Sequence, residues 1–257
     1  MQEINYPYFN RDRILKIEML ENLRNFPRDF LDVYVEDLSD GIVSGLNPIV
    51  QKNNITFSKG IIKYQGKTYI ISNPAIIDYS TTEVEVSVKI NFHDVEENRD
   101  YRTQYISIEL DKNMEIKKNQ IEICRFKLKK GAYLRSDYQD LYDFTTEYNT
   151  INIVNVKYAG YKDHTLSHLI LKYFARAIVT ARSQNFLDVN FSMLCLNSER
   201  IERETILSYI AYRLEEEIMP VSNIEMHEKL VKILEIIKKE SFGLRKRVRT
   251  DRKIILD

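Results

Sequence analysis

Between Phe30 and Lys130 the apolar residues of this chain recur at every second position, and no helical pattern interrupts them. Glu83 to Phe92 alternates charged or polar residues with apolar ones for ten residues. That spacing predicts a half-buried antiparallel strand, with one face on a core and one in water. Gln104–Leu110 and Gln120–Leu128 repeat the pattern. In the second run Ile121, Ile123, Arg125 and Lys127 share one face, and Glu122, Cys124, Phe126 and Leu128 the other. Asn73-Pro74 and Asp111-Lys112-Asn113 punctuate the runs. Roughly seven or eight strands in succession favour a β-sandwich or small barrel over a parallel, helix-crossover sheet. Beyond His164 the period changes to that of a helix. The fold class is therefore α+β.

The glycines sharpen this picture. Of seven in the chain, Gly41, Gly45, Gly60 and Gly66 fall between Asp40 and Ser72, where they separate short β-branched runs. Ile61–Tyr64 and Lys67–Ile71 flank Gln65-Gly66, the signature of a tight hairpin. No glycine spacing suited to cradling a phosphate is present.

Ahead of the strands, Leu15, Met19, Leu23 and Phe26 recur at helical spacing and predict a helix over Arg11–Phe26, capped by Asn10 and stopped by Pro27. After them, Leu166, Leu169, Ile170, Tyr173, Phe174, Ala177, Ile178 and Ala181 form the strongest helical stripe. A further helix is expected from Ser198 to Pro220. A capping box, Ser222-Asn223-Ile224-Glu225, opens a third. In that last helix Ile233 and Ile236 fall off the main stripe, as if to meet another chain. Thr150–Tyr158 reads as one more strand. These patterns divide the chain into a helical docking segment (1–29), a β-rich domain (30–160), a helical domain (161–244) and a basic C-terminal arm (245–257).

Lys+Arg and Asp+Glu both number 38, so no net charge steers the chain towards nucleic acid. Only the arm is asymmetric. Arg245, Lys246, Arg247 and Arg249 sit in it, and a nucleic-acid-binding role through this arm is the alternative function. Seventeen Tyr and no Trp supply aromatic surface of the kind favoured at interfaces. Cys124 and Cys195 lack motif spacing and read as reduced core thiols. The start has no apolar secretion signal and the longest apolar run carries Lys172 and Arg176, so a soluble protein made in a cytoplasm is expected, without membrane partners.

Chemistry is thinly represented. His164 and His168 stand at the i, i+4 spacing that lets two imidazoles share a metal, but Lys172 and Arg176 continue the same row and no third ligand is evident. His227 lies on an apolar stripe, as core or interface histidines do. Asp137, Asp140 and Asp143 lack the order of a calcium loop. No nucleophile or zinc-hydrolase motif appears, so neither catalysis nor a cofactor is expected.

The succession Asp40-Gly41-Ile42-Val43-Ser44-Gly45, followed by Asn54–Ile71 with its glycine-bounded hairpin, resembles the N-terminal modules of baseplate and tail-fibre-attachment proteins of contractile bacteriophage tails and phage-tail-like particles. The likeness covers Asp40–Ser72 and extends loosely to Lys130. It implies a structural protein assembled into a virion tail or tail-like particle after synthesis in the bacterial cytoplasm. Its partners would be other baseplate or fibre proteins, in a homo- or hetero-oligomer, with the N-terminal helix docked on a neighbour. Leu15, Met19, Leu23, Ile233, Ile236 and the arm's Arg245, Lys246, Arg247 and Arg249 are the candidate contact residues.

Overall fold

The computed structural model describes residues 5–250, with side chains up to 242. Helix α1 (Ile17–Tyr34) precedes eleven short strands: β1 (Gly41–Gly45), β2 (Pro48–Val50), β3 (Asn54–Phe57), β4 (Gly60–Tyr64), β5 (Lys67–Ile71), β6 (Ala75–Asp78), β7 (Val86–Phe92), β8 (Glu96–Glu97), β9 (Arg102–Thr103), β10 (Ile106–Asp111) and β11 (Gln120–Phe126). Four helices follow: α2 (His168–Ala181), α3 (Phe186–Asn197), α4 (Arg203–Leu214) and α5 (Asn223–Thr250). The class is α+β. The paired strands are antiparallel, in the orders β1-β4-β5, β2-β3-β6 and β10-β7-β11 with a small β8-β9 ribbon. Among the described residues no sheet closes into a barrel.

The glycine-marked stretch supplies two of these sheets. Gln65 and Gly66 both adopt positive φ (48° and 70°), so β4 and β5 meet through the tight turn expected of them. Gly45 and Gly60 lie opposite each other in the β1–β4 pair. A Cβ on Gly45 would stand 1.9 Å from the Lys59 carbonyl oxygen, and one on Gly60 2.7 Å from that of Ser44. The two strands cross where only glycine allows the backbones to approach.

Strand β7 corrects the expectation of a wet face. It is the middle strand of its sheet, and all seven residues are buried. Of its polar positions Lys89 and Asn91 find partners, while the Ser87 hydroxyl is buried without one among the described residues. Lys89, wholly buried, donates to Asp111 Oδ2 at 2.9 Å and to the carbonyls of Asn113 and Glu115 at 2.5 and 2.8 Å. Asn91 accepts from Gln120 Nε2 at 2.7 Å. Alternation here separates two interiors, one apolar and one polar in which Lys89 and Asn91 are hydrogen-bonded. The strict alternation expected of Gln120–Leu128 is also broken. A register shift between Glu122 and Cys124 lets Ile123 and Cys124, neighbours in sequence, both be buried. Thr150–Tyr158 forms single bridges rather than a strand, because Asn152 turns the chain by accepting the Val154 N–H at 2.8 Å.

In the helical half, α2 follows the predicted stripe and the capping box is formed: Ser222 N–H donates to Glu225 Oε2 at 2.6 Å and Glu225 N–H to Ser222 Oγ at 3.2 Å. Ser198 does not open a helix. It ends α3, a helix not foreseen, and α4 begins at Arg203 and stops at Glu215, whose φ is +56°, before Pro220 is reached. A single cluster of buried apolar residues runs from Ile42 in β1 to Ile237 in α5. Helix α5 continues through residue 245, where the basic arm was expected to begin.

Candidate assembly interface

The predicted N-terminal helix is displaced. Asp12 takes a left-handed φ of 64°, the helix starts only at Ile17, and Pro27 lies inside it instead of ending it. Proline forfeits one backbone bond, about 3 kcal/mol in a helix interior. The apolar pattern nonetheless persists for two more turns, through Phe30, Leu31, Val33 and Tyr34. Beyond the last turn, Lys63 of β4 gathers the chain: its Nζ donates to the carbonyls of Val35, Glu36 and Leu38 at 2.8, 2.6 and 2.7 Å.

Along α1, Met19, Leu23, Phe26, Phe30 and Val33 succeed one another at alternating spacings of four and three, with Leu20 and Tyr34 beside them. This puts them on one face, and Glu18, Glu21, Arg24, Arg28, Asp29 and Asp32 on the other. Among the described residues this face is left mostly uncovered, only Met19 being half-buried. No residue of α1 is buried, and Leu23, Phe26, Phe30, Val33 and Tyr34 are 56–72% exposed. Tyr6, Tyr8, Phe9, Ile14 and Leu15 extend the exposed apolar surface before the helix. A cleft of about 550 Å³ separates α1 from β5, lined by Pro27, Arg28, Leu31, Thr68 and Ile70. A second, about 640 Å³, opens at its C-terminal end between Leu31, Tyr34, Ile42, Tyr158, His168 and Arg200.

Of the predicted contact residues, Leu15 and Leu23 are exposed and Met19 is half-buried. Ile233 is a correction: it is fully buried in the α5 core, and Ile236 is half-buried. Helix α5 packs on both α2 and α4, so its second apolar face meets its own chain. The side chains of Arg245, Lys246, Arg247 and Arg249 lie outside the described residues. Phe26 counted only as the last turn of the predicted helix, and Phe30, Val33 and Tyr34 were missed. The apolar residues after Pro27 continue the same face and were the signal for them.

The histidine pair is not a pair. Helix α2 starts at His168, so His164 belongs to the preceding loop, where its Nδ1 lies 2.8 Å from Asp163 Oδ1. Desolvation, then the nearby Arg203, holds His164 below the usual histidine range. Desolvation followed by Lys172 does the same for His168, whose ring nitrogens are buried without hydrogen-bond partners. Among the described residues no cluster of three or more His, Cys, Asp or Glu could hold a metal ion. Asp143 pairs with Arg135 at 2.8 Å, and Asp140 accepts the Tyr142 N–H at 2.9 Å, so both are engaged in local structure. His227 is a core residue, its Nε2 3.1 Å from the Leu141 carbonyl oxygen. No described helix is long and apolar enough to cross a membrane.

The chain matches no protein-family model and no curated protein. Among solved structures it is similar to a crystal structure of TssK, at a TM-score of 0.40 and 8% identity over 92% of this chain and 69% of that one. It is also similar to a chain of the type VI secretion system TssK-TssF-TssG baseplate subcomplex seen by cryo-electron microscopy (0.39, 8%, covering 91% and 100%). A chain of the type VI secretion baseplate complex is a third (0.35, 12%, covering 92% and 70%).

Proposed function

We propose that the chain is a structural, non-catalytic component of a contractile-tail baseplate, in a phage or a tail-like particle, and that α1 docks it on a neighbouring subunit linking baseplate to fibres. The observation that carries the reading is α1: an amphipathic helix of 18 residues, none of them buried. Each large apolar side chain it withdraws from water on docking is worth roughly 1.5–3 kcal/mol, so such a face is stable only when covered. The baseplate identity draws on the resemblance of Asp40–Ser72. A lipid surface fits less well, because four carboxylates face two arginines across the helix's polar side, where membrane-lying helices carry lysine and arginine.

The test is particle incorporation. In cells producing the particle, tagged wild-type chain is expected to co-sediment with it. Leu23→Asp/Phe30→Asp is expected to be folded, soluble and absent from the particle fraction. Incorporation of that variant at the wild-type level would refute the docking role.

A further inference from the structure

Strand β5 is the outer strand of its sheet, and its Lys67, Thr68 and Ile70 line the cleft beside α1. The sheet's other outer strand is covered by the chain itself: Ile42 of β1 donates to the Lys157 carbonyl oxygen and accepts from the Ala159 N–H, both at 2.9 Å. Strand β5 has no such cover among the described residues. The two-residue Gln65-Gly66 turn makes Tyr64 and Lys67 the closing hydrogen-bonded pair of the hairpin. Pairing then alternates, so Thr68 and Ile70 turn their N–H and C=O groups away from β4. Among the described residues these groups find no backbone partner. The Ile70 side chain is 62% exposed, and Pro27 and Leu31 of α1 line the same cleft.

Charge decides what fits there. Four bases line the cleft, Arg24, Arg28, Lys67 and Arg102, against one acid, Asp32. Asp32 is already engaged by Arg28 at 3.8 Å, and Arg102 pairs with Glu97 at 3.1 Å. Arg24 and Lys67 make no ion pair among the described residues. The whole chain balances 38 bases against 38 acids, so the imbalance is local. We propose that the cleft receives an extended acidic segment of another protein, added to β5 as a fourth strand. Its backbone would pair with Thr68 and Ile70, and its carboxylates with Arg24 and Lys67. A second copy of the same edge is a poor occupant, because it would bring Lys67 and the neighbouring bases against their like. A lipid surface would leave the edge N–H and C=O groups unpaired. The cleft lies on the Arg24 side of α1 and not on its Leu23 and Phe30 side, so the inference stands apart from the role of the apolar face.

Fluorescence anisotropy of a labelled peptide of alternating glutamate and valine, titrated with the full chain, tests it. Wild type is expected to bind with a Kd of about 10–100 μM. Raising NaCl from about 50 to 500 mM is expected to weaken binding roughly tenfold. Arg24→Glu/Lys67→Glu is expected to weaken it more than about tenfold with an unchanged melting temperature, since both side chains are exposed. At saturating peptide, hydrogen exchange at the Thr68 and Ile70 amides is expected to slow at least about tenfold. No binding by wild type, or equal binding of a peptide with lysine in place of glutamate, would overturn the acidic occupant. Undiminished binding by the double variant would overturn the cleft as its site. Unchanged exchange at Thr68 and Ile70 would overturn the strand pairing. Retention on phosphatidylserine vesicles without binding of the peptide would assign the bases to a membrane instead.

Discussion

At the scale of single residues, Gly66 of the β4–β5 turn and Gly45 at the end of β1 should behave differently although both have positive φ. Gly66 faces open space, so Gly66→Ala is expected to lose only the left-handed penalty, about 1–2 kcal/mol. Gly45→Ala adds a collision with the Lys59 carbonyl, and its loss is expected to exceed roughly 4 kcal/mol in urea unfolding, the range of severe backbone strain. The sequence marked both as turn glycines. It could not separate them, because the close strand crossing is made by residues fifteen apart, Gly45 and Gly60. His227 gives a pH prediction. Burial lowers its pKa, as it does those of His164 and His168. The unfolded chain therefore binds more protons as pH falls through about 6.5, and the stability contributed by the neutral rings, complete above that pH, drains away below it. Asp143 and Asp111 are shifted down by their Arg135 and Lys89 partners, so their contribution is lost only near pH 4 and below, outside this window. Melting temperature is expected to fall between pH 7.5 and 5.5, and to fall less in His227→Gln. An unchanged slope would exclude His227 as a source.

At the scale of elements, α1 and α5 show what apolar periodicity can and cannot reveal. Both carry a stripe, yet α5 spends its residues on the core and α1 spends none. Asp at Leu23 or Phe30 is therefore expected to shift stability by no more than about 0.5 kcal/mol, whereas Ile233→Asp should prevent folding. Thermal melts of the three variants check this. The pattern of a helix records that one face avoids water without saying what covers it, which is why Ile233 was read as outward. Helix α3 was illegible for a related reason. Stripe reading presumes polar residues on the outer side, and α3 buries its one charge beside Phe191 and Cys195 while leaving Phe186, Leu187, Val189, Met193 and Leu194 exposed. Strand β7 was recognised, but the burial of Lys89 depends on carbonyls from the loop at Asn113 and Glu115, which no local pattern encodes.

At the scale of the whole molecule, one continuous core joins the sheets to the helices, and α1 stands outside it, tied at its C-terminal end by Lys63. A helix without buried residues has little local stability of its own, so its amides should exchange quickly in the free chain. Lys63→Met is expected to quicken that exchange further, most of all in the last turn, without changing the exchange of β7. The central claim is that another subunit covers α1. Hydrogen–deuterium exchange of residues 17–34, compared between the free chain and the assembled particle, tests it most directly. The prediction is at least 100-fold slower exchange across Met19–Tyr34 in the particle, centred on Leu23, Phe26 and Phe30. Equal exchange in the two states would contradict it.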